Sequence, residues 1–208
     1  MLALLFFVVV VAAPALTVDR PDAEKVCKAA SLVLKDMRYH GGKYADPGDF
    51  SPSQVKERLD HCIKAVRVGT FHGEKVAFAT AAIGYRESNF RPEVVGAAGE
   101  VGMMQVIPRL HCTKYPDLDD GKGGCINPVR AGVRAFRLLL ASELEARPRW
   151  IPIYSNGDPC RWDGLRVPTL CRVLRRYNGS QRYATAVAGF VRSVEWAYRR
   201  DGHLAKAD

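Results

Sequence analysis

The sequence predicts a single, mainly α-helical domain that is stapled by disulfide bridges. Apolar residues recur three and four positions apart along several stretches, and this period places them on one face of a helix. The chain has 208 residues, which is enough to bury a substantial core within one domain. It also has six cysteines, an even number that fits disulfide formation in an oxidising compartment.

The N-terminal residues predict an export signal. Leu2 to Leu16 is almost wholly apolar, ends with Ala13-Pro14-Ala15 close to its boundary, and precedes the first charges, at Asp19 and Arg20. Such a segment is too short for a comfortable membrane span and is typical of a signal peptide. No Lys or Arg precedes it, so an uncleaved anchor is the alternative. We expect residues 1–16 to be this signal peptide, and the protein to be secreted or periplasmic without stable membrane insertion after signal removal.

Two helices are predicted next, and together they form an N-terminal extension over residues 17–72. The first runs from about residue 22 to 38, and the second begins at Ser51-Pro52, which has the composition of an N-cap and first turn. Their inward stripes are Val26, Ala30, Val33 and Met37, then Val55, Leu59, Cys62 and Val66. A Cys27–Cys62 bridge would join these helices, which we expect to brace the domain without taking part in chemistry.

A third helix begins near Glu74 and carries an acidic residue at the end of its apolar stripe. Val76, Thr80 and Ile83 lead at helical spacing to Glu87, and small residues fill the positions between them. Partial burial and the negative end of the helix dipole should both raise the pKa of Glu87. A carboxyl that stays protonated near neutrality can act as a general acid. The alternative is a glutamate at a frayed helix end that points to water.

The residues around Glu87 and two later elements resemble those of one known superfamily. Glu87-Ser88, Phe90 and Pro92 are followed by Gly99, Gly102, Met103-Met104-Gln105 and Pro108. The segment from Cys125 to Gly132 and the tetrapeptide Arg176-Tyr177-Asn178-Gly179 come later, and Tyr183 and Val187 continue the last of these. Taken in this order, the motifs resemble the soluble lytic transglycosylase and goose-type lysozyme superfamily. That family usually has Ala where this chain has Arg176.

The resemblance implies a lysozyme-like helical domain over residues 73–202, followed by a loose tail at 203–208. It also implies that peptidoglycan glycan strands are the substrate, cut at the β-1,4 bond between N-acetylmuramic acid and N-acetylglucosamine. Glu87 would then be the catalytic acid and base. The residues implied to bind substrate are Ser88, Gly102, Met104, Gln105, Tyr177 and Asn178.

Two reactions at this bond remain open. Goose-type lysozymes tend to place an Asp where this chain has Val106-Ile107-Pro108, so its absence favours a lytic transglycosylase that forms a 1,6-anhydro ring. However, Glu100 could act as a second carboxylate, and Gly96 stands where transglycosylases tend to carry Ser. Hydrolysis is therefore the alternative. Two alternatives of another class are a non-catalytic protein that binds wall glycan and a cationic protein that only perturbs anionic envelopes.

Charge and composition restrict the partners. The formal net charge of +9 suggests an anionic partner such as a wall polymer, and no nucleic-acid motif accompanies it. We expect a monomer without metal or organic cofactor. The five His residues lie far apart, no Cys-x-x-Cys is present, and the spacing of Asp117, Asp119 and Asp120 does not fit a calcium loop.

The rest of the chain is predicted to contain a loop, a long helix, an insertion and a last helix. Leu110 to Ile126 is expected to be a solvated loop or cleft rim closed by a Cys112–Cys125 bridge, with Cys160–Cys171 as the third pair. Asn127-Pro128 should begin a long helix whose basic stripe faces water, namely Arg130, Arg134 and Arg137. Residues 147–168 form an insertion whose aromatic side chains pack locally or line a saccharide cleft. A last helix buries Val187, Val191, Val194 and Tyr198.

Overall fold

The computed structural model describes residues 20–37, 51–145 and 169–204. These residues contain helices joined by loops, with β-structure limited to isolated bridges, so the predicted mainly α class is confirmed. The helices are α1 Ala23–Met37, α2 Pro52–Thr70, α3 Glu74–Ser88, α4 Pro108–His111, α5 Pro128–Glu145, α6 Thr169–Asn178 and α7 Gln181–Leu204. The apolar leader, the insertion and residues 205–208 lie outside the described residues.

α2 begins at the predicted cap. The Ser51 hydroxyl accepts a hydrogen bond from the Gln54 N–H at 3.3 Å, and the Gln54 side chain accepts one from the Ser51 N–H at 2.9 Å. Val55 was expected to point inward, but it is 48% exposed. The prediction was wrong because full burial along α2 begins only at Cys62, after the first turns of the helix.

α3 is the central helix of the fold. Its residues from Val76 to Tyr85 are all buried, and it packs against α1, α2, α5 and α7. The approach of α2 is close because Gly69 has no side chain, and a Cβ there would lie 3.0 Å from the Cα of Ala77. The ring of Tyr85 stacks on that of Phe190 in α7, with centroids 5.3 Å apart. Glu87 therefore stands at the end of the most enclosed helix.

Disulfide bridges join the predicted cysteines. Cys27–Cys62 links α1 to α2 with its Cα atoms 6.0 Å apart, and Cys112–Cys125 closes the loop after α4 with a separation of 5.4 Å. The third predicted bridge involves Cys160, which lies outside the described residues. Among the described helices, none combines the length and apolar character needed to cross a membrane.

The loop between α4 and α5 is anchored rather than only solvated. Leu118 is fully buried, and Asp117 forms ion pairs with Arg130 at 3.1 Å and Arg134 at 3.3 Å. The Arg134 guanidinium also lies over the ring of Tyr115, 3.7 Å from its centroid. Arg130 stays mostly exposed, as predicted for this stripe, whereas Arg134 is partly covered because Asp117 and the Tyr115 ring pack against it.

Candidate active site

The chain turns sharply just after Glu87. Asn89 and Phe90 both have left-handed backbone conformations, with φ of 52° and 58°. For residues with a Cβ this conformation costs about 1–2 kcal/mol each, so the surrounding contacts must hold the turn. The Arg58 guanidinium donates to the Asn89 carbonyl at 3.1 Å, and the Phe90 side chain is buried in the space that Gly84 leaves open. The turn fixes where the last residues of α3 lie.

Ser88 joins the end of α3 to the loop between α3 and α4 that contains Gly96, Gly99 and Gly102, here called the Gly-rich loop. Its side chain is buried, and its hydroxyl is 3.1 Å from the Met103 carbonyl and 3.2 Å from the Gly84 carbonyl. The same oxygen accepts a hydrogen bond from the Arg91 N–H at 3.2 Å. Through these contacts Ser88 holds the Gly-rich loop against the end of α3. That it binds substrate stays a prediction.

The Gly-rich loop is a small irregular hairpin held by its own backbone. Isolated bridges pair Val101 with both Val95 and Val106. Gly102 has φ of +74°, and a Cβ there would lie 2.8 Å from Pro128, so both its backbone and its packing require glycine. That Gly102 contacts substrate stays a prediction.

Gln105 lies in this loop, and the oxygen of its side-chain amide is the part left available to a ligand. Its amide nitrogen donates to the carbonyls of Val94 at 3.0 Å and Gly102 at 2.9 Å, which uses both N–H groups. The amide oxygen lies beside Gly96, 2.7 Å from where a Cβ would stand. Gln105 can therefore offer a ligand an acceptor but no donor. That it binds substrate also stays a prediction.

α5, α6 and the Gly-rich loop meet at one point. The Tyr177 hydroxyl donates to the Met104 carbonyl at 2.8 Å, and the Met104 side chain is fully buried. Gly132 of α5 makes this possible, because a Cβ there would lie 2.8 Å from the Met104 Cγ and 3.1 Å from the Tyr177 hydroxyl. Burial, and then the charge of Glu87, raise the pKa of Tyr177, so its hydroxyl keeps the proton it donates.

Glu87 is half-buried beside this junction. Burial is the largest influence on its pKa and raises it, and the nearby Glu100 carboxylate acts in the same direction. The nearby Tyr183 hydroxyl, the charge of Arg86 and the hydrogen bond from Asn178 lower it, but the net result is a pKa above the ordinary carboxyl value. The Asn178 amide lies 3.5 Å from the Glu87 carboxyl. The pKa of Glu87 is thus raised, as the sequence predicted, and burial is the main cause.

Tyr183 is a site residue that the sequence analysis did not single out. Its side chain is 5% exposed, and its hydroxyl has no hydrogen bond of ordinary length and angle within the described part of the chain. It is nevertheless close enough to Glu87 for each group to influence the pKa of the other. Its position six residues after Tyr177, within the same motif, was the available signal.

Glu100 supplies a second carboxylate near Glu87. Among the described residues, the Glu100 carboxylate accepts one hydrogen bond, from the Ala98 N–H at 2.9 Å. One of its oxygens contacts the point where a side chain on Gly96 would begin. The absence of a Cβ at Gly96 therefore lets this carboxylate lie beside the oxygen of Gln105. No group of three or more His, Cys, Asp or Glu side chains suited to a metal ion occurs within the described ranges.

These features define a lysozyme-like helical domain with a shielded carboxyl between a Gly-rich loop and a tyrosine–asparagine pair. Residues 74–146 match the family described as the Transglycosylase SLT domain, which is about a third of the chain. That segment carries an SLT domain, and the resemblance read from the motifs is confirmed. The match contains Glu87 and the loop but stops before Tyr177. Comparison with curated proteins and with solved structures gave no match.

An SLT domain implies transglycosylase-type action on peptidoglycan in general terms. Together with the disulfide bridges, it fits an extracellular or periplasmic protein.

Proposed function

We propose that this protein is a lytic transglycosylase. It cleaves the β-1,4 bond between N-acetylmuramic acid and N-acetylglucosamine in peptidoglycan. The observation that carries the proposal is the Glu87 carboxyl, whose pKa burial raises at the end of an enclosed helix. A carboxyl of this kind holds a proton at pH values where an exposed one has lost it, and it can pass that proton to a leaving oxygen.

The reaction has two steps. Glu87 protonates the glycosidic oxygen, the bond from that oxygen to C1 breaks, and the acetamido oxygen of the sugar bonds to C1 to stabilise the positive charge. The Glu87 carboxylate then removes the proton from the sugar's 6-hydroxyl. As O6 bonds to C1, the acetamido oxygen leaves, and a 1,6-anhydro ring results with Glu87 again protonated. No water is consumed.

The neighbours of Glu87 support both steps. Burial favours the protonated form that the first step needs. Asn178, at 3.5 Å, and the Tyr183 hydroxyl are donors that favour the carboxylate, which the second step needs. The site therefore contains groups that favour each of the two protonation states. The acceptor oxygen of Gln105 is available for a hydroxyl or an amide N–H of the glycan.

Hydrolysis of the same bond is the second candidate, and Glu100 is the observation that favours it. Its carboxylate is close enough to raise the pKa of Glu87 and accepts only the Ala98 N–H among the described groups. Such a group could orient a water molecule toward C1. The product would then carry a free reducing end instead of the anhydro ring.

Mass spectrometry of the soluble fragments released from purified peptidoglycan tests the proposal. The anhydro product is one water lighter than the hydrolytic product, so the two reactions give different masses. We expect anhydro fragments from the wild type and a loss of roughly 10²–10⁴-fold in rate for Glu87→Gln. Glu74→Gln is the matched control, because Glu74 lies at the opposite end of α3. Reducing-end fragments that disappear in Glu100→Gln would instead establish hydrolysis.

A pull-down with insoluble peptidoglycan separates catalysis from simple binding. We expect Glu87→Gln to bind the polymer while releasing no fragments. If the wild type binds but never releases fragments, the protein is a wall-binding module. Strong salt dependence without fragments would indicate a cationic envelope-perturbing protein.

We also propose that the mature protein acts outside the cytoplasm as a monomer. The predicted leader at residues 1–16 and the disulfide bridges support this placement. N-terminal sequencing of protein recovered from the producing cell tests whether the leader is removed, and light scattering tests the oligomeric state.

A further inference from the structure

A partly buried carboxylate joins α5 to α6 close to the candidate active site. Glu143 of α5 has a side chain that is only 8% exposed, and both of its oxygens are bound by arginines of α6. The Arg172 Nε donates to one oxygen at 2.7 Å, and its Nη2 contacts the same oxygen. Arg176 Nη1 donates to the other oxygen at 3.0 Å and lies 3.4 Å from the Ser142 hydroxyl. We call Glu143, Arg172 and Arg176 the Glu143 cluster.

The Glu143 cluster lies at the part of α6 that reaches the site. Arg176 immediately precedes Tyr177 and Asn178, where α6 ends, and Arg172 lies one turn earlier. Gly179 follows with φ of +84° and turns the chain toward α7. Arg176 also stands where the resemblance predicts Ala. The departure therefore has a structural use, because a shorter side chain would leave one oxygen of Glu143 without its arginine.

We propose that Glu143 is a positioning residue for the reaction. Through Arg172 and Arg176 it holds the last turn of α6 at the distance where Tyr177 meets the Gly-rich loop and Asn178 meets Glu87. The inference rests on the proposed function for its kinetic consequences, although its structural consequence can be measured without turnover. The residue acts through its neighbours and does not touch the reacting atoms.

The hydrogen bond between Asn178 and Glu87 makes this contact sensitive to small displacements. At 3.5 Å it is at the long limit for a hydrogen bond, so a shift of the α6 terminus by a fraction of an ångström removes it. This bond lowers the pKa of Glu87. Its loss therefore leaves the carboxyl protonated to a higher pH. The other charged or titratable groups around Glu87 are Arg86, Glu100, Tyr177 and Tyr183.

Replacing Glu143 by Gln tests this role, since Gln keeps the shape of the side chain and removes the charge that holds two guanidinium groups. We expect kcat to fall roughly tenfold or more from misplacement of Asn178. We also expect the basic limb of the kcat/KM profile to move to higher pH. The same change in the Asn178→Ala background should move the limb no further, because the hydrogen bond is already absent.

Two controls separate positioning from a general loss of stability. Glu74→Gln removes the 3.0 Å ion pair between α3 and Arg199 of α7, far from the site, and should leave the limb where it is. Arg176→Lys keeps a charge near Glu143 and should restore part of the rate that Arg176→Ala loses. A lower melting temperature for Glu143→Gln with an unmoved limb would overturn the proposal, because the cluster would then support only the fold.

Titration of Glu87 by carbon-13 NMR of its side-chain carboxyl gives a readout that needs no substrate. The pKa of Glu87 should be higher in Glu143→Gln than in the wild type, and equal in the two proteins if the proposal is wrong. If the wild type releases no fragments from peptidoglycan but the pKa moves as expected, the proposed function fails while the positioning role stands.

Discussion

At the residue scale, the behaviour of Glu87 results from burial opposed by hydrogen bonding. Burial and Glu100 favour its protonated form, whereas Tyr183, Arg86 and Asn178 favour the carboxylate. The net pKa is raised, so the acid form persists to a higher pH than for an exposed glutamate. Activity that needs this form should fall as pH rises through the raised pKa.

Tyr183→Phe isolates one of these influences, because it keeps the buried ring and removes only the hydroxyl. The carboxylate loses a donor, so the pKa of Glu87 rises and the basic limb of kcat/KM moves to higher pH. We also expect kcat to fall, because the second step needs the Glu87 carboxylate that this hydroxyl favours. Steady-state rates on purified peptidoglycan between pH 4 and pH 9 measure both effects. An unmoved limb would show that the hydroxyl does not act on Glu87.

Gly132 sets how closely α5 approaches the loop and α6. In Gly132→Ala the new methyl would lie 2.8 Å from the Met104 Cγ, a contact that must be relieved by movement. Overpacking of this kind costs about 1–3 kcal/mol. The loop carrying Gln105 should move relative to Tyr177, so activity should fall more than the folded fraction does. Thermal unfolding and fragment release, measured on the same preparation, compare the two losses. Equal losses would assign Gly132 to stability alone.

At the element scale, the end of α3 is supported from outside the segment that matches the family. Arg58 of α2 donates to the Asn89 carbonyl, while the matched segment begins at residue 74. The turn it supports contains two left-handed residues that carry a Cβ. The N-terminal extension was expected to brace the domain, and at this point it contacts the turn that follows the candidate acid.

Arg58→Ala should therefore reduce activity, although Arg58 lies in α2, far from Glu87 in sequence. The Asn89 carbonyl loses its charged donor, and we expect a loss of about 1.5 kcal/mol in unfolding free energy with a larger proportional loss of rate. Asn89→Gly is the matched comparison, because glycine adopts a positive φ without strain. That variant should keep or exceed the wild-type stability, because it relieves the strain at Asn89. Denaturant unfolding with rate measurement tests both, and a fully active Arg58→Ala protein would contradict the expectation.

The sequence was sufficient for features that depend on local spacing. The helical period placed Glu87 on the stripe that begins at Val76. The Cys27–Cys62 bridge was reached only by assuming that neighbouring cysteines pair, because the sequence alone does not determine connectivity. It was not sufficient where two distant segments meet. The pairing of Glu143 with Arg176, and the approach of Tyr183 to Glu87, depend on how α5, α6 and α7 pack. Neither contact can be deduced from the helical spacing of residues within one segment.

At the scale of the whole molecule, the two described bridges differ in the length of chain they close. The residues of Cys27–Cys62 are 35 apart in sequence, and those of Cys112–Cys125 are 13 apart. In the chain-entropy account, a longer loop gives more stabilisation, about 4 kcal/mol for the first bridge and about 3 kcal/mol for the second. The bridge between α1 and α2 should therefore contribute more to global stability.

Paired alanine variants test this order. Cys27→Ala/Cys62→Ala should lower the unfolding free energy more than Cys112→Ala/Cys125→Ala does, as measured by guanidinium denaturation under oxidising conditions. The second variant should instead show the larger relative loss of activity, because its bridge holds the loop that follows the Gly-rich segment. The reverse order of stabilities would mean that native packing, and not loop closure, dominates the contribution of these bridges.

α1 packs against α7, although they are the first and last helices of the described chain. Val26 and Ala30 of α1 are buried in the completed fold, together with Val187 and Val191 of α7. A growing polypeptide that has not yet produced α7 cannot bury all of these side chains. Contacts between distant parts of a chain also form slowly, because a large loop must close first. These contacts therefore form only once α7 has been synthesised.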